Sequence, residues 1–363
     1  MEAPLVTVTV CARNASSWVD ACFEALTSQS YPHLEVVAIN DGSTDGTGDR
    51  MEAWRDESGE RGPPVRVHHQ EPLGLSAGRQ RALDDARGVW VAITDIDVRP
   101  ERDWIENLIS SSVPMDDEER VVAVTGRTVF ERAEDLVSWH RSVEISSKYR
   151  SRPRRTNLAN GPCSMFLREA LQSVGGFGAN WYHAEDMEVS LRLVQTGGVI
   201  VYAPQAVVRH VPEIGWRRFL HKRSRDARAH VRIVRKYPRK ERHGQNFDFL
   251  GSSSTVLLAL PCCLAFMAAS FGLVMSVEPN QSMFTSTQTS ALLTTFGFSL
   301  LTLHMLMWGG QLGAVNREVM KHAPRHRLVT LVSLYCMVLC WSIALWYGSA
   351  CGLLDAILKR NGH

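Results

Sequence analysis

Val89-Trp90-Val91-Ala92-Ile93-Thr94-Asp95-Ile96-Asp97 is an apolar, β-branched run closed by two carboxylates one residue apart. A run of this length and composition reads as a buried strand of an α/β sheet. Residues i and i+2 of a strand share a face, so Asp95 and Asp97 are expected to reach one hard divalent cation, or one cation and one ribose. Mg2+ is commonly held by one or two carboxylates together with substrate phosphates. Taken alone the pair has a plainer explanation, because acidic residues at strand ends also cap the helix that follows.

The chain before this run alternates strand and helix patterns. Leu5–Val10 reads as a first strand, with Arg13 and Asn14 in its loop and a helical stretch from about Ser17 to Ser28. Leu34–Ile39 reads as a second strand, running into Asn40-Asp41-Gly42-Ser43-Thr44-Asp45-Gly46-Thr47, which combines helix-capping chemistry with turn glycines. A third strand is expected at Val65–His68, followed by a turn and helix over Gly74–Leu83. This alternation predicts a parallel, doubly wound sheet. Ligands of such sheets lie beyond the carboxyl ends of the strands, so the loops holding Arg13, Asp41 and Asp95/Asp97 are expected to meet in one crevice.

The later part of the soluble region is less regular. Val121–Thr125 reads as a strand, and Asn157–Phe166 is expected to pack under the crevice. Arg168–Gly175 reads as a short helix. His183–Gly197 reads as a longer one, with Glu185 and Asp186 in its first turn. Val199–Ala203 and Ala206–His210 read as strand segments.

Average composition hides a division of the 363 residues. Residues 255–277, 290–314 and 328–353 are long apolar stretches without Lys, Arg, Asp or Glu, the signature of membrane-spanning helices. His304 and Gln311, inside the second, are expected to face neighbouring helices. Between Arg217 and Arg242 twelve Lys and Arg face only Asp226 and Glu241. A basic run placed just before the first apolar stretch is expected to meet anionic lipid headgroups or substrate phosphates, through Lys222, Arg223 or Arg225. The expected division is a catalytic domain over 1–215, a basic juxtamembrane segment over 216–250 and a membrane region over 251–363.

Eight cysteines show no metal spacing, and none is expected in a disulfide, which suits a reducing compartment. No signal peptide and no nucleic-acid partner are expected. The loop Glu278–Thr289 lacks Lys and Arg, whereas the next carries Arg317, Lys321, Arg325 and Arg327. Positive loops stay cytoplasmic, which predicts a multi-pass protein with its catalytic domain inside. Three crossings would leave Lys359 and Arg360 outside, against that rule. A re-entrant third segment would return them.

The order of motifs resembles the family 2 glycosyltransferases, which have the GT-A fold. The matching pieces are Thr7–Asn14, NDGSTDGT at 40–47, GLSAGRQRAL at 74–83, TDID at 94–97, NGPCSMFLREALQSVGGF at 160–177, HAEDMEVSLRL at 183–193 and VYAPQAVVRH at 201–210. Cys11, Gln80 and Gly178 depart from the usual residues, and none of them replaces a needed carboxylate. The resemblance implies that Asp41 reads the base or ribose, with Asp45 either assisting or serving as a turn residue. Arg13 and Arg79 would partner base, ribose or phosphate. Asp95 would face the ribose and Asp97 the metal, Mg2+ or Mn2+, which stabilises charge on the leaving diphosphate. His210 stands where some members carry a further metal ligand, although a histidine closing a strand is more often structural.

Asp186, favoured over Glu185, would be the catalytic base. The plainer role of that pair is to stabilise the helix dipole. Trp181 and Tyr182 would form a sugar or acceptor wall, or simply core. The implied activity is inverting transfer from a nucleotide-diphosphate sugar to a lipid-linked or membrane-presented acceptor. Two alternatives are a processive polysaccharide synthase and a non-catalytic membrane scaffold. The synthases usually carry Q-x-x-R-W, where this chain reads Phe219-Leu-His-Lys-Arg-Ser-Arg225.

Overall fold

The computed structural model describes residues 3–59, 62–181, 183–242, 249–275, 283–321 and 327–360. The first half alternates strands and helices as the sequence pattern requires: β1 Val6–Ala12, α1 Ser16–Thr27, β2 Leu34–Asp41, α2 Thr47–Asp56, β3 Val65–Gln70, α3 Leu75–Asp85 and β4 Trp90–Asp95. β5 Val98–Pro100, α4 Trp104–Ser111, β6 Val121–Phe130, α5 Leu136–Arg150, β7 Arg155–Thr156, β8 Ser164–Leu167 and α6 Arg168–Ser173 follow. α7 Glu185–Gln195, β9 Val199–His210 and α8 Trp216–Lys236 complete the soluble part. Further helices among the described residues are α9 Phe249–Met275, α10 Met283–Gln311, α11 Gly313–Lys321 and α12 Arg327–Ile357.

Among the described residues the strands form one sheet in the order β3-β2-β1-β4-β8-β6-β9-β5, with β7 on β9. β3, β2, β1 and β4 are mutually parallel, as expected. The remainder is mixed, which the alternation did not predict. β8 runs antiparallel between β4 and β6, so part of Asn157–Phe166 enters the sheet itself. β9 is continuous across the two expected segments and absorbs its irregularity as register shifts against β6.

Strand alternation sorts side chains to two cores. Val6, Val8 and Val10 pack with Phe23, Leu26, Met51, Trp104 and Leu108 on one face. Val91, Ile93 and Val122 pack with Leu83, Leu171, Val189 and Leu193 on the other. A third core joins the soluble part to the C-terminal helices through Val143, Phe219, Val256, Trp308, Val315 and Trp341.

Among the described residues three helices are long and apolar enough to cross a membrane: Ser253–Phe271, Ala291–Gln311 and Arg327–Ile357. His304 and Gln311 do face neighbours. His304 contacts the Tyr335 hydroxyl (2.9 Å) and the Thr255 carbonyl (2.7 Å), and Gln311 pairs with the Thr255 hydroxyl. Pro261 lies inside α9 and cannot donate to the Leu257 carbonyl four residues earlier. The Ser342 hydroxyl and the Trp346 indole, both on α12, donate to that freed carbonyl instead. In an apolar setting such replacement partners are what make an internal proline tolerable.

Candidate active site

β1, β2 and β4 are parallel neighbours, so their carboxyl ends lie on one edge. The register sets Cys11 opposite Asp95 and Ala12 opposite Asn40. Arg79 of α3 lies in the middle of this edge, only 3% exposed. Its Nη1 donates to Glu185 Oε1 at 2.5 Å and its Nη2 to Asp95 Oδ1 at 2.8 Å. Burial works against the Arg79 charge, but Glu185, Asp95 and Asp186 outweigh it and raise its pKa. Burial also raises the Glu185 carboxyl, against Arg79 and with the help of Asp186. The Cys11 thiol below them is pushed up to about 12 by burial and stays protonated.

Asp186 lies in the first turn of α7, where backbone N–H groups point outward. Its Oδ1 accepts from the Met187 N–H (2.8 Å) and its Oδ2 from the Gly161 N–H (2.9 Å). A Cβ on Gly161 would stand 3.2 Å from Arg79 and 3.3 Å from Asp186, so a side chain there would crowd both groups. Ala184, just before the acidic pair, holds φ +62°. That left-handed conformation costs a non-glycine residue about 1–2 kcal/mol. It turns the chain sharply enough to bring Glu185 and Asp186 to Arg79.

The two carboxylates of the opening motif part company. β4 ends at Asp95, Ile96 is buried, and Asp97 stands in the turn to β5. The expectation of a shared strand face therefore does not hold, because the chain reverses at Ile96. Asp95 goes to Arg79, and Asp97 goes to β9. β5 pairs antiparallel with β9, Val98 opposite His210, which sets His210 Nε2 3.6 Å from Asp97 Oδ1. His210 Nδ1 lies 2.8 Å from the Val211 carbonyl. A proton on Nδ1 donates there and leaves the Nε2 lone pair facing Asp97. Phe130 stacks on the ring at 4.4 Å. One carboxylate and one imidazole thus stand close enough that they could share a divalent cation. Among the described residues no group of three or more His, Cys, Asp or Glu forms a closed metal cage.

α8 brings the basic run to this site, but not all of it. Arg218 Nη2 reaches Asp97 Oδ2 at 3.5 Å. Burial lowers the Lys222 pKa, while the nearby Glu213 and Asp97 support its charge. Arg218 was not singled out from the sequence. Its spacing of four from Lys222, which places both on one helix face, was the available signal. Arg223 does not share that face. It pairs with Asp226 (3.1 Å) and lies over the rings of Phe219 and Trp341, buried in the junction with α12. Its expected contact with donor phosphate is replaced by packing. Arg225 contacts His183 Nδ1 (3.2 Å) and lines a cavity between α8 and α12 rather than the Asp97 site.

The remaining candidates divide in the same way. Arg13 is exposed on the loop after β1. Asn14 fixes that loop by accepting from the Thr44 N–H and donating its own N–H to Ser43. Asp41 is buried and accepts from Gln70 Nε2 (2.7 Å) and from the Leu73 and Gly74 N–H groups (2.8 and 2.9 Å). A carboxylate offers about four acceptor positions, so one remains for a ligand. Asp45 is a loop brace, accepting from Ser16, from the Thr47 N–H and from the Thr47 hydroxyl. Trp181 is core, packed with Leu191, Ile233 and Tyr237 under Arg232. Tyr182 lies outside the described residues.

This mixed sheet, with four parallel strands on one side of β8, is of the GT-A type. The family model "Glycosyl transferase family 2" matches residues 7–175, so that stretch carries a domain of the family 2 glycosyltransferase type. Glycosyltransferase GlyA of Streptococcus pneumoniae is 30% identical over 37% of this chain, and the match spans 18% of GlyA. The pre-mycofactocin glycosyltransferase of Mycobacterium tuberculosis is 27% identical over 40% of this chain, spanning 31% of that protein. The chain thus aligns with less than a third of either relative. Among solved structures, mannosyltransferase PcManGT from Pyrobaculum calidifontis, in complex with GDP-Man and Mn2+, superposes with a TM-score of 0.57. It is 19% identical, and the superposition covers 98% of this chain and 88% of that one, a likeness of fold.

Proposed function

We propose that the protein is a metal-dependent, inverting glycosyltransferase that moves a sugar from a nucleotide-diphosphate donor to a lipid-linked or membrane-presented acceptor. The observation that carries this reading is the position of Asp186. Its carboxylate accepts from two backbone N–H groups, beside Arg79 and at the sheet edge where the donor would lie. Each oxygen keeps a free lone pair for an acceptor hydroxyl.

In the reaction, Asp186 takes the proton of that hydroxyl as its oxygen attacks the anomeric carbon. The bond from that carbon to the diphosphate oxygen breaks, and one displacement on the opposite face inverts the centre. Asp97 and His210 would hold the divalent cation, which when bound stabilises negative charge on the diphosphate. An imidazole donor favours a transition-metal ion such as Mn2+ over Mg2+, in keeping with the Mn2+ of the archaeal mannosyltransferase. Arg218 and Lys222 add positive charge beside it. Arg79 holds Glu185 away from the acceptor, which leaves Asp186 as the base. Asp41, with one open acceptor position, and Arg13, exposed on its loop, would meet the nucleotide.

Asp186→Asn tests the reading. The variant is expected to bind labelled nucleotide sugar as the wild type does and to lose roughly 10²–10⁴ in transfer rate. Near-normal turnover, or a large loss of donor affinity, would exclude the base role.

A further inference from the structure

Helix α12 is apolar enough to cross a membrane, yet its neighbours do not let it. Along its second half it lies in parallel against α8: Trp341 meets Phe219, a Cβ on Gly348 would strike the Ser224 carbonyl, and Arg228 pairs with Asp355. Trp341 also meets His140 of α5. α8 carries nine Lys and Arg over Trp216–Lys236 and is tied to the catalytic helix α7, so it cannot enter hydrocarbon. The first half of α12 follows α11, whose Val315 and Val319 pack with Val137 and Val143 of α5. Both ends of α12 therefore lie on the catalytic side. Where α12 meets α9, its hydrogen bonds fall at Leu257, Leu260 and Cys263.

The exposed side of the helix is as uniform as the packed side. Val329, Val332, Ile343, Trp346, Leu353 and Ile357 are all exposed. At 3.6 residues per turn they occupy about a third of the circumference along its whole length. Leu334, Met337, Trp341, Leu345, Gly348 and Gly352 are buried on the opposite side. A helix that spans a bilayer shows lipid a band across its length. One that lies on it shows a stripe along its length, with polar partners behind.

We propose that α12 does not cross the membrane but lies in the plane of its catalytic-side surface, with its apolar stripe sunk into the headgroup–acyl boundary of an anionic leaflet. Only α9 and α10 then span, as a hairpin. Charge agrees. Beside the C-terminal end of α12 a cavity of about 340 Å3 is walled by Arg225, Arg232, Arg235, Lys359 and Arg360, a match for lipid phosphates. The disposition also removes the conflict in the sequence. Lys359 and Arg360 join Arg317 and Lys321 on the catalytic side, and the loop without Lys or Arg is the one across the membrane.

The test uses the full chain with cleavable tags at both termini, in membrane vesicles of known sidedness. Protease added to one side is expected to remove both tags together. Cleavage of the two tags from opposite sides would mean three crossings and overturn the proposal. Depth is read from Trp346, as the difference in fluorescence quenching between wild type and Trp346→Phe in phosphatidylglycerol-containing bilayers. Lipids brominated near the headgroup end of the acyl chain are expected to quench it more than lipids brominated near the terminal methyl. Stronger quenching by the deep bromines, as in a re-entrant segment, would refute the surface position. Absence of quenching by either, as when a second copy or water covers the stripe, would refute it equally.

Discussion

Replacing Arg79 by methionine removes the one positive charge at the centre of three carboxylates while keeping similar volume. Arg79 is 3% exposed, bonded to Glu185 at 2.5 Å and to Asp95 at 2.8 Å, with Asp186 adding its charge from nearby. Breaking a buried pair by deleting one partner costs roughly 3–5 kcal/mol, because the other charge stays buried and uncompensated. For a domain of this size that corresponds to a fall in Tm of roughly 6–20 °C. The loss has a specific pH dependence. Glu185 already has a raised pKa, and removing Arg79 raises it further. A carboxyl whose folded pKa lies above its unfolded value gives more stability as pH falls, so the deficit of the variant shrinks as pH is lowered. Scanning fluorimetry of wild type and Arg79→Met from pH 8 to pH 5 measures this. A deficit under about 1 kcal/mol, or one that stays constant across that range, would show that Arg79 is not holding these carboxylates together.

Asp97→Asn is expected to weaken Mn2+ binding in the presence of nucleoside diphosphate by about tenfold or more, read by titration of the free Mn2+ EPR signal; unchanged affinity would remove Asp97 from the metal site. His140 is buried against Trp341 and held neutral, its pKa lowered to about 4 mainly by burial, against Glu144. Its contribution is full above pH 6.5 and is lost as pH falls toward 4, ~3 kcal/mol in all; His140→Phe should flatten this part of the stability profile, and an unaltered profile would contradict it. Ala184→Gly should keep stability or raise it by up to ~1 kcal/mol, seen as an equal or higher Tm, because glycine takes φ +62° without strain, whereas Ala184→Val should lower it. Equal Tm in both variants would mean that the turn relaxes on substitution.

The elements legible in the sequence are those whose own side chains decide them. β1, β2 and β4 are β-branched runs buried on both faces, and they were located to within a residue or two. The α7 start was visible from its acidic pair. β5 was not, because three residues, Val98-Arg99-Pro100, carry no period of their own and become a strand only by pairing with β9. That pairing decides whether Asp97 meets His210, so the donor set of the site was only partly readable. α5 was missed for a different reason. Its buried side includes Ser138, His140, Ser142 and Glu144, with Ser142 bonded to the Phe130 carbonyl and Glu144 to Arg141, and an apolar period is absent. Hydropathy likewise could not tell a spanning helix from one lying flat, because the packed side of α12 is itself apolar or small, with Leu334, Met337, Trp341 and Leu345 beside Ser342, Gly348 and Gly352.

α8 is the part through which these pieces act together. Its 21 residues form a rod about 31 Å long. Arg218 and Lys222 of that rod stand at Asp97. Lys236 and Tyr237, at its end, hold Glu188 of α7 at 2.8 and 2.6 Å, and Asp226 holds His183 at 2.7 Å, two residues before Glu185. Phe219, Ser224 and Arg228 lie along α12. The cation donors, the Asp186 helix and the surface helix are thus fixed to one rigid element rather than to separate loops. A base can act only within hydrogen-bond reach of the hydroxyl it deprotonates. An acceptor tethered to the bilayer presents its hydroxyl at a set height above the headgroups. Locking α12 to α8, and α8 to α7, sets the height of Asp186 against that same surface, so that membrane attachment and alignment of the reacting atoms become one structural property.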